Sequence, residues 1–310
     1  MLKKRFYPFL LFLLVILLLA AELLSPGFVR PRHLGVVLRQ AAFLGFVGVG
    51  QTLVILSGGI DLSVGSLVTA GNIFTCELLG RNPDLSPPLV LIPLLVMGVL
   101  IGMINGLGIT MLHIPPLIMT FAMGSIVDGM TLIYCGGSAA GYATPPIQYL
   151  GSKLLFGVIP VNFLLWMILL GGSTFLLNRT TFGRKLFAVG TNEIAAYVSG
   201  VNVKKVKIYT YGLSGLCAIF AGMILAGYTQ TGFLGIGNEY TLSSIAATVI
   251  GGTAITGGKG GEIGTAIGAL ILIIIQSILT VLRIPESGRK IVEGLVILLL
   301  INAYFERGKK

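Results

Sequence analysis

The chain has 310 residues, of which 55% are hydrophobic and only 10% are charged. A soluble domain usually carries about 25% charged residues, so this composition excludes an ordinary soluble protein and indicates an all-α, polytopic membrane protein. The formal net charge is +10. The basic residues lie between apolar runs, so they are expected to set topology and to contact membrane lipids rather than nucleic acid.

A helix that spans a bilayer needs roughly 20 apolar residues. Ten segments qualify, at about 6–24, 34–57, 63–80, 88–112, 115–134, 160–178, 208–229, 242–256, 262–283 and 290–305. The first segment is too long an apolar run for a cleavable signal peptide. The eighth is short and is interpreted as a half-helix or a re-entrant segment, which is tolerated only where protein or water surrounds it. We therefore predict a single transmembrane domain over residues 1–310.

The lysines and arginines set the expected orientation, because cytoplasmic loops carry an excess of both. With Lys3, Lys4 and Arg5 inside, ten spans also put the basic C-terminal tail inside. The longest basic loop, at about 179–207, then falls on the same side. Both termini are therefore predicted to be cytoplasmic.

A lone carboxylate lies in a glycine turn between the second and third segments. Asp61 is the only charged residue between Arg39 and Glu77. A carboxylate in such apolar sequence is costly unless it reaches water or a partner. The topology puts this turn at the cytoplasmic side, together with a second glycine turn. We interpret both as a gate or hinge, in which Asp61 caps the next helix rather than contacting solute. The candidate gate residues are Gly58, Gly59, Asp61, Ser63, Gly251 and Gly252.

Several uncharged polar side chains lie in or beside the apolar segments. Such groups normally face the interior of a helical bundle, where holding helices together and lining a path are about equally expected. No segment carries the several acids or bases that an ion relay would often need, so amides and hydroxyls suit a neutral, hydroxyl-rich solute. The candidate residues of a translocation path are Gln51, Asn72, Asn105, Thr120 and Ser243.

Enzyme chemistry has no counterpart in the sequence. The histidines, His33 and His113, lie far apart, and neither a nucleophile elbow, a zinc-protease motif nor a Walker lysine motif occurs. We predict no catalytic residue, no metal site and no cofactor bound by this chain. The three cysteines lie in apolar runs and are interpreted as packing residues, although a bond between Cys76 and Cys135 stays open.

The basic loop at 179–207 contains a short predicted helix. Asn192 can cap its N-terminus, Glu193 suits its first turn, and Gly200 suits its end. A helix of about two turns does not persist alone, so it is expected to dock into a groove on a partner. The alternative is a basic loop that lies on lipid headgroups.

Four parts of the sequence, in order, resemble the permease subunits of the ribose-type monosaccharide ABC importer family. They are Gly50-Gln51-Thr52 with Ser57 to Gly65, Ile114-Pro115-Pro116 with Thr120, Phe182-Gly183-Arg184 to Gly200, and Ile245-Ala246-Ala247 with Val249 to Thr253. The resemblance implies a homodimer or heterodimer with a second permease, cytoplasmic ATP-binding-cassette subunits that hold the ATP and Mg²⁺, and an extracytoplasmic sugar-binding protein. It also implies location in the cytoplasmic (inner) membrane of a prokaryote.

The resemblance further implies that residues 192–200 couple the spans to the ATPase. The implied coupling residues are Asn192, Glu193, Ala195, Ala196, Ser199 and Gly200. Two places depart from the family pattern. Thr241 and Ser243 stand where an acidic pair is usual, and Glu193-Ile194 replaces the usual proline–glutamate order.

The expected function is therefore import of a monosaccharide such as ribose, xylose or galactose, by alternating access that a partner ATPase drives. The alternatives are an ABC permease for a nucleoside or a signalling sugar, an ion-coupled secondary transporter, and a membrane scaffold that carries no solute. Reconstitution separates these classes, because only the secondary transporter would move solute alone and without ATP.

Overall fold

The computed structural model describes residues 2–82 and 84–295, with side chains from residue 7 onward. Its helices are α1 (Leu2–Leu24), α2 (Pro31–Leu56), α3 (Val64–Arg81), α4 (Pro87–Met111), α5 (Pro116–Tyr134), α6 (Pro145–Ser152), α7 (Val161–Arg179), α8 (Thr181–Thr191), α9 (Glu193–Val198), α10 (Val203–Thr229), α11 (Asn238–Ile250) and α12 (Glu262–Val281). Two short antiparallel strands, β1 (Leu154–Leu155) and β2 (Ile159–Pro160), form a hairpin between α6 and α7.

Seven of these helices are long and apolar enough to cross a membrane: α1 from Tyr7, α2, α4, α5, α7, α10 and α12. The all-α, polytopic class is thus confirmed, whereas the count of ten spans and the orientation of the termini stay predictions. Residues 286–295 are also helical. The rest of the tenth predicted segment, 296–305, and the basic tail lie outside the described residues.

Helix α10 lies at the centre of the bundle and packs against α4, α3 and α2. In their apolar windows, α10 is 72% buried and α2 is 67% buried, whereas α1 is only 11% buried. Helices α2 and α10 therefore form the interior, and α1 presents most of its apolar surface outward. Helix α3 is enclosed by α10, α5 and α11, so it can carry the buried polar side chains of Asn72 and Glu77.

Glycines let the central helices approach at backbone distance. A Cβ atom built on Gly215 would lie 2.1 Å from the carbonyl oxygen of Gly98, where α10 crosses α4. One built on Gly102 would lie 2.1 Å from the carbonyl oxygen of Tyr211. Both distances are far below van der Waals contact, so these crossings need glycine, as small residues in membrane helix interfaces generally allow.

The eighth predicted segment is a half-helix. Helix α11 has 13 residues, which is about 20 Å at 1.5 Å per residue and shorter than a bilayer core of about 30 Å. The expected segment at 242–256 is therefore wrong in its bounds, because α11 begins at Asn238 and residues after Ile250 turn away from the helix.

A non-helical stretch, residues 230–237, leads into α11 and runs back along α3. The amide of Phe233 donates to the Asn72 side chain at 3.0 Å, and the amide of Gly237 donates to the Thr69 hydroxyl at 3.0 Å. We call residues 230–237 the descending segment, because it follows α3 back toward the N-terminal end of that helix. Its polar backbone is thus partly paired by side chains of α3.

Candidate functional site

The turn around Asp61 is held by a fully buried carboxylate. One oxygen of Asp61 accepts hydrogen bonds from the amide of Ser63 at 3.0 Å and from the hydroxyl of Ser63 at 2.6 Å. The other oxygen accepts from the hydroxyl of Ser214 on α10 at 2.8 Å. Among the described residues no cation pairs with Asp61. The carboxylate therefore binds Ser63, the N-cap residue of α3, and ties the start of that helix to α10 through three neutral donors.

Helices α4 and α5 also hold this turn. The side-chain amide of Asn105 donates to the Ser63 hydroxyl at 2.9 Å, and the amide of Leu62 donates to the Thr120 hydroxyl at 3.0 Å. A Cβ atom on Gly59 would lie 2.2 Å from the hydroxyl oxygen of Tyr211. Four helices thus meet at the turn, so a movement of the turn must change hydrogen bonds to all of them.

The second glycine turn, residues 251–261, contacts the first. The amide of Gly258 donates to the carbonyl of Leu56 at 3.0 Å. A Cβ atom on Gly257 would lie 2.9 Å from the amide nitrogen of Gly58, and Gly257 has a φ of +86°, a conformation that favours glycine. Gly251 packs on α12, since its Cβ atom would lie 2.3 Å from the carbonyl oxygen of Gly264. The two turns that the sequence placed on one side of the membrane therefore form one structure.

The predicted coupling helix is present as α9. Asn192 caps it, accepting the amide of Ala195 at 2.9 Å, and Gly200 has a φ of +81° just beyond its end. The reading of 179–207 as a loop is wrong in one respect. Thr180 caps a further helix, α8, and α10 begins at Val203, so most of this region is helical. The apolar residues Phe182, Leu186 and Val189, spaced at i, i+4 and i+7, are a readable amphipathic signal of this helix.

Helix α8 ends directly against both glycine turns. A Cβ atom on Gly190 would lie 1.8 Å from the carbonyl oxygen of Leu56 and 2.6 Å from the amide nitrogen of Gly258. A Cβ atom on Gly258 would in turn lie 2.8 Å from the Cα atom of Thr191. We call this three-way contact the glycine junction. Helix α9 begins two residues after Thr191, so it starts close to both turns.

The exposed face of α9 is apolar. Ile194, Tyr197 and Val198 are 78%, 73% and 79% exposed, whereas Ala196 is 4% exposed and packs inward. Sequence reasoning named Ala196 and missed the three exposed side chains, although large apolar residues in an otherwise polar loop are a readable signal of a contact surface. Ala195 and Ser199 are exposed beside them. Glu193 instead forms an ion pair with Lys207 of α10.

The candidate path residues occupy different places. Asn105 and Thr120 belong to the Asp61 turn, as described above. Asn72 pairs with Thr229 at 3.1 Å and with the descending segment. Ser243 donates to the Glu293 carboxylate, and Gln51 is fully buried with neither amide atom paired among the described residues. The candidate residues thus lie at four different places in the fold, and their part in a translocation path stays a prediction.

The described part of the chain contains no group of three or more His, Cys, Asp or Glu residues that could hold a metal ion. Cys76, Cys135 and Cys217 are buried and free, so the packing interpretation fits and the possible bond between Cys76 and Cys135 is not formed.

The geometry is that of a polytopic helical membrane protein in which α8 and two glycine turns meet. Residues 34–301 match the family described as the permease component of the branched-chain amino acid transport system. The chain therefore belongs to this family of ABC-transporter permeases, and the resemblance to ribose-type importers is confirmed. It is a multi-pass membrane permease component and not an enzyme.

Individual relatives cover nearly the whole chain. The ribose import permease protein RbsC of Bacillus subtilis (strain 168) is 37% identical over 301 residues, which cover 96% of this chain and 92% of the relative. RbsC of Escherichia coli (strain K12) is 34% identical, covering 93% and 90%. The autoinducer 2 import system permease protein LsrC of Escherichia coli O9:H4 (strain HS) is 34% identical, covering 92% and 84%. No solved structure matches the chain.

The Asp61 network predicts a graded loss of stability. Asp61→Ala leaves the Ser63 amide and two hydroxyls without their acceptor, so it should destabilise the protein by about 1–3 kcal/mol. Asp61→Asn keeps one oxygen for Ser63, and Ser214→Ala removes one bond, so both should cost less. Thermal unfolding of the purified protein in detergent measures the order, with Ser125→Ala on the exposed face of α5 as control. Equal melting temperatures for Asp61→Ala and the control would contradict it.

Proposed function

We propose that this chain is the transmembrane permease subunit of an ABC importer that carries a monosaccharide of the ribose, xylose or galactose type. The observation that carries the proposal is the 37% identity to a ribose import permease over 96% of the chain. The membrane would be the cytoplasmic (inner) membrane of a prokaryote. The partners would be a second permease, cytoplasmic ATP-binding-cassette subunits that bind ATP and Mg²⁺, and an extracytoplasmic sugar-binding protein.

The exposed face of α9 supports contact with the ATPase. Three large apolar side chains, Ile194, Tyr197 and Val198, stand at least 73% exposed on this short helix. Tyrosine and large apolar side chains anchor protein interfaces when a partner pocket encloses them. The Lys207–Glu193 ion pair attaches α9 to α10, and the Asn192 side chain caps the N-terminus of α9. A cleft on the ATPase would therefore bind α9 as a helix that is already formed.

The glycine junction supports a route from α9 to the spans. When ATP draws the two ATPase subunits together, each α9 would move with its subunit and carry the end of α8. Because Gly190 meets both turns through backbone atoms, this movement would displace the turns. The hydrogen bonds of Asp61, Asn105 and Thr120 would pass the change to α3, α4, α5 and α10. ATP and the binding protein would each favour one of the two states, since only a differential affinity shifts such an equilibrium.

A signalling sugar is the second candidate substrate. The similarity to LsrC at 34% identity favours it. Thr241 and Ser243 also stand where the ribose-type pattern has acids. In the fold, the Ser243 hydroxyl instead donates to the carboxylate of Glu293, which brings an acid to the same place from another helix.

Reconstitution with the partner subunits tests the function. The complete importer in proteoliposomes should take up D-ribose only with ATP inside and binding protein outside, and the sugar-loaded binding protein should stimulate ATP hydrolysis. Autoinducer 2, xylose and galactose are compared in the same assay. Uptake without ATP by this chain alone would contradict the ABC assignment, and stimulation by autoinducer 2 but not by ribose would favour the second candidate.

The exposed face of α9 predicts that loss of one of its large side chains weakens binding of the ATPase. Tyr197→Ala removes an exposed anchor without opening a cavity in the permease, so it should weaken ATPase binding on the order of tenfold. Co-purification of the ATPase measures the effect.

The matched control is Phe156→Ala, which removes a 95% exposed aromatic ring at the β1–β2 hairpin. ATPase recovery equal to wild type for Tyr197→Ala would remove α9 from the interface.

A further inference from the structure

Helix α5 carries a carboxylate on a face that the described part of the chain leaves uncovered. Asp128 is exposed, and the side chains one turn away on the same face of the helix, Ser125 and Leu132, are exposed as well. An ionised carboxylate that faces lipid within a membrane-spanning helix is strongly unfavourable, so such residues almost always face the bundle interior or a water-filled cavity. The surroundings of Asp128 should therefore be aqueous in the assembled protein.

A cavity of about 200 Å³ opens beside this carboxylate. Its wall comes from α3, α5 and the descending segment, and includes Thr69, Asp128, Thr131, Leu132 and Gly235. Non-helical backbone within a membrane is tolerated only where protein buries it or where it lines a water-filled space. The descending segment is such a backbone, and this cavity is where it meets α5. We call the space the α5 cavity.

Two polar groups in the wall have hydrogen-bonding capacity that no described residue uses. The hydroxyl of Ser66 donates to one carboxylate oxygen of Asp128 at 2.9 Å, which fixes the side chain and leaves the other oxygen without a partner among the described residues. Thr131 is 1% exposed, and its hydroxyl has no partner among the described residues. A buried hydroxyl without a partner is costly unless a ligand or water satisfies it.

We propose that the α5 cavity is a solute-binding subsite on the translocation path and takes a neutral polyhydroxy solute. The free oxygen of Asp128 would accept from a hydroxyl of the solute, and the Thr131 hydroxyl would bond a neighbouring one. A single carboxylate with one hydroxyl offers too few ligands for a divalent cation, which takes six or more oxygens. The solute class rests on the proposed function, whereas the aqueous nature of the cavity does not.

Cysteine accessibility tests the cavity independently of transport. The importer with its partner subunits is used in proteoliposomes, with Cys76, Cys135 and Cys217 replaced by Ala. Asp128→Cys should react with a membrane-impermeant thiol reagent at least about tenfold faster than Ile168→Cys, whose side chain is 73% exposed on α7. Equally slow reaction at both positions overturns the proposal. D-ribose, delivered by its binding protein, should slow the reaction at Asp128→Cys.

Uptake distinguishes a subsite from a water-filled space. Asp128→Asn and Thr131→Val should each lower D-ribose uptake on the order of tenfold, because each removes a bond to the solute. Ser125→Ala, on the same helix and bonded only to its own backbone, should match wild type. If the wild-type importer carries ribose and both variants take it up at the wild-type rate, the proposal is overturned. If wild type carries no ribose, the proposed sugar fails, and the labelling comparison alone decides for or against the cavity.

Discussion

The end of helix α8 reaches two glycine turns with no side chain between them. A Cβ atom on Gly190 would lie 1.8 Å from the carbonyl oxygen of Leu56, and that same carbonyl accepts the amide of Gly258 at 3.0 Å. Side chains at an ordinary helix contact can rotate to absorb a small shift, but backbone atoms at this distance cannot. A displacement of α8 must therefore move both turns together or break their hydrogen bond. Packed elements of this kind switch between arrangements rather than deform continuously.

The Asp61 turn is a rigid element that a displacement of the glycine junction would move. Its carboxylate is fully buried, and its three donors come from Ser63, directly before α3, and from Ser214 of α10. Hydrogen bonds in a low-dielectric interior are strong and costly to leave unmade. The turn should therefore move as a unit. Asp61 is satisfied within the chain, whereas Asp128 on the exposed face of α5 retains an oxygen without a partner among the described residues, beside a cavity.

Much of this arrangement could be predicted from local sequence. Apolar run length placed seven spans, and the Asn192 cap with Gly200 placed α9, because these signals act within a few residues. Asp61 was predicted to cap the next helix, but the N-cap residue of α3 is Ser63, and Asp61 accepts the amide of that residue two positions along the chain.

Other features depend on contacts between distant residues. The pairing of Gly190 with Leu56 joins segments more than a hundred residues apart, and each glycine alone is indistinguishable from the many that pack helices. The descending segment could not be predicted for the same reason, since Asn72 and Thr69 of α3 hold it. Asp128 is a charged residue in an apolar run of the sequence, but its exposure depends on how α3 and α5 pack together.

The central claim is that α8 transmits ATPase movement through the glycine junction, and Gly190→Ala tests it most directly. The matched control is Gly171→Ala, because a Cβ atom at Gly171 meets nothing within 4 Å. Both variants are assembled with ATPase and binding protein in proteoliposomes, and solute uptake per ATP hydrolysed is measured. Gly190→Ala should assemble with its partners yet lose about tenfold or more in this ratio, which corresponds to about 1.4 kcal/mol of coupling, while Gly171→Ala keeps it. An unchanged ratio in an assembled Gly190→Ala importer would contradict the account.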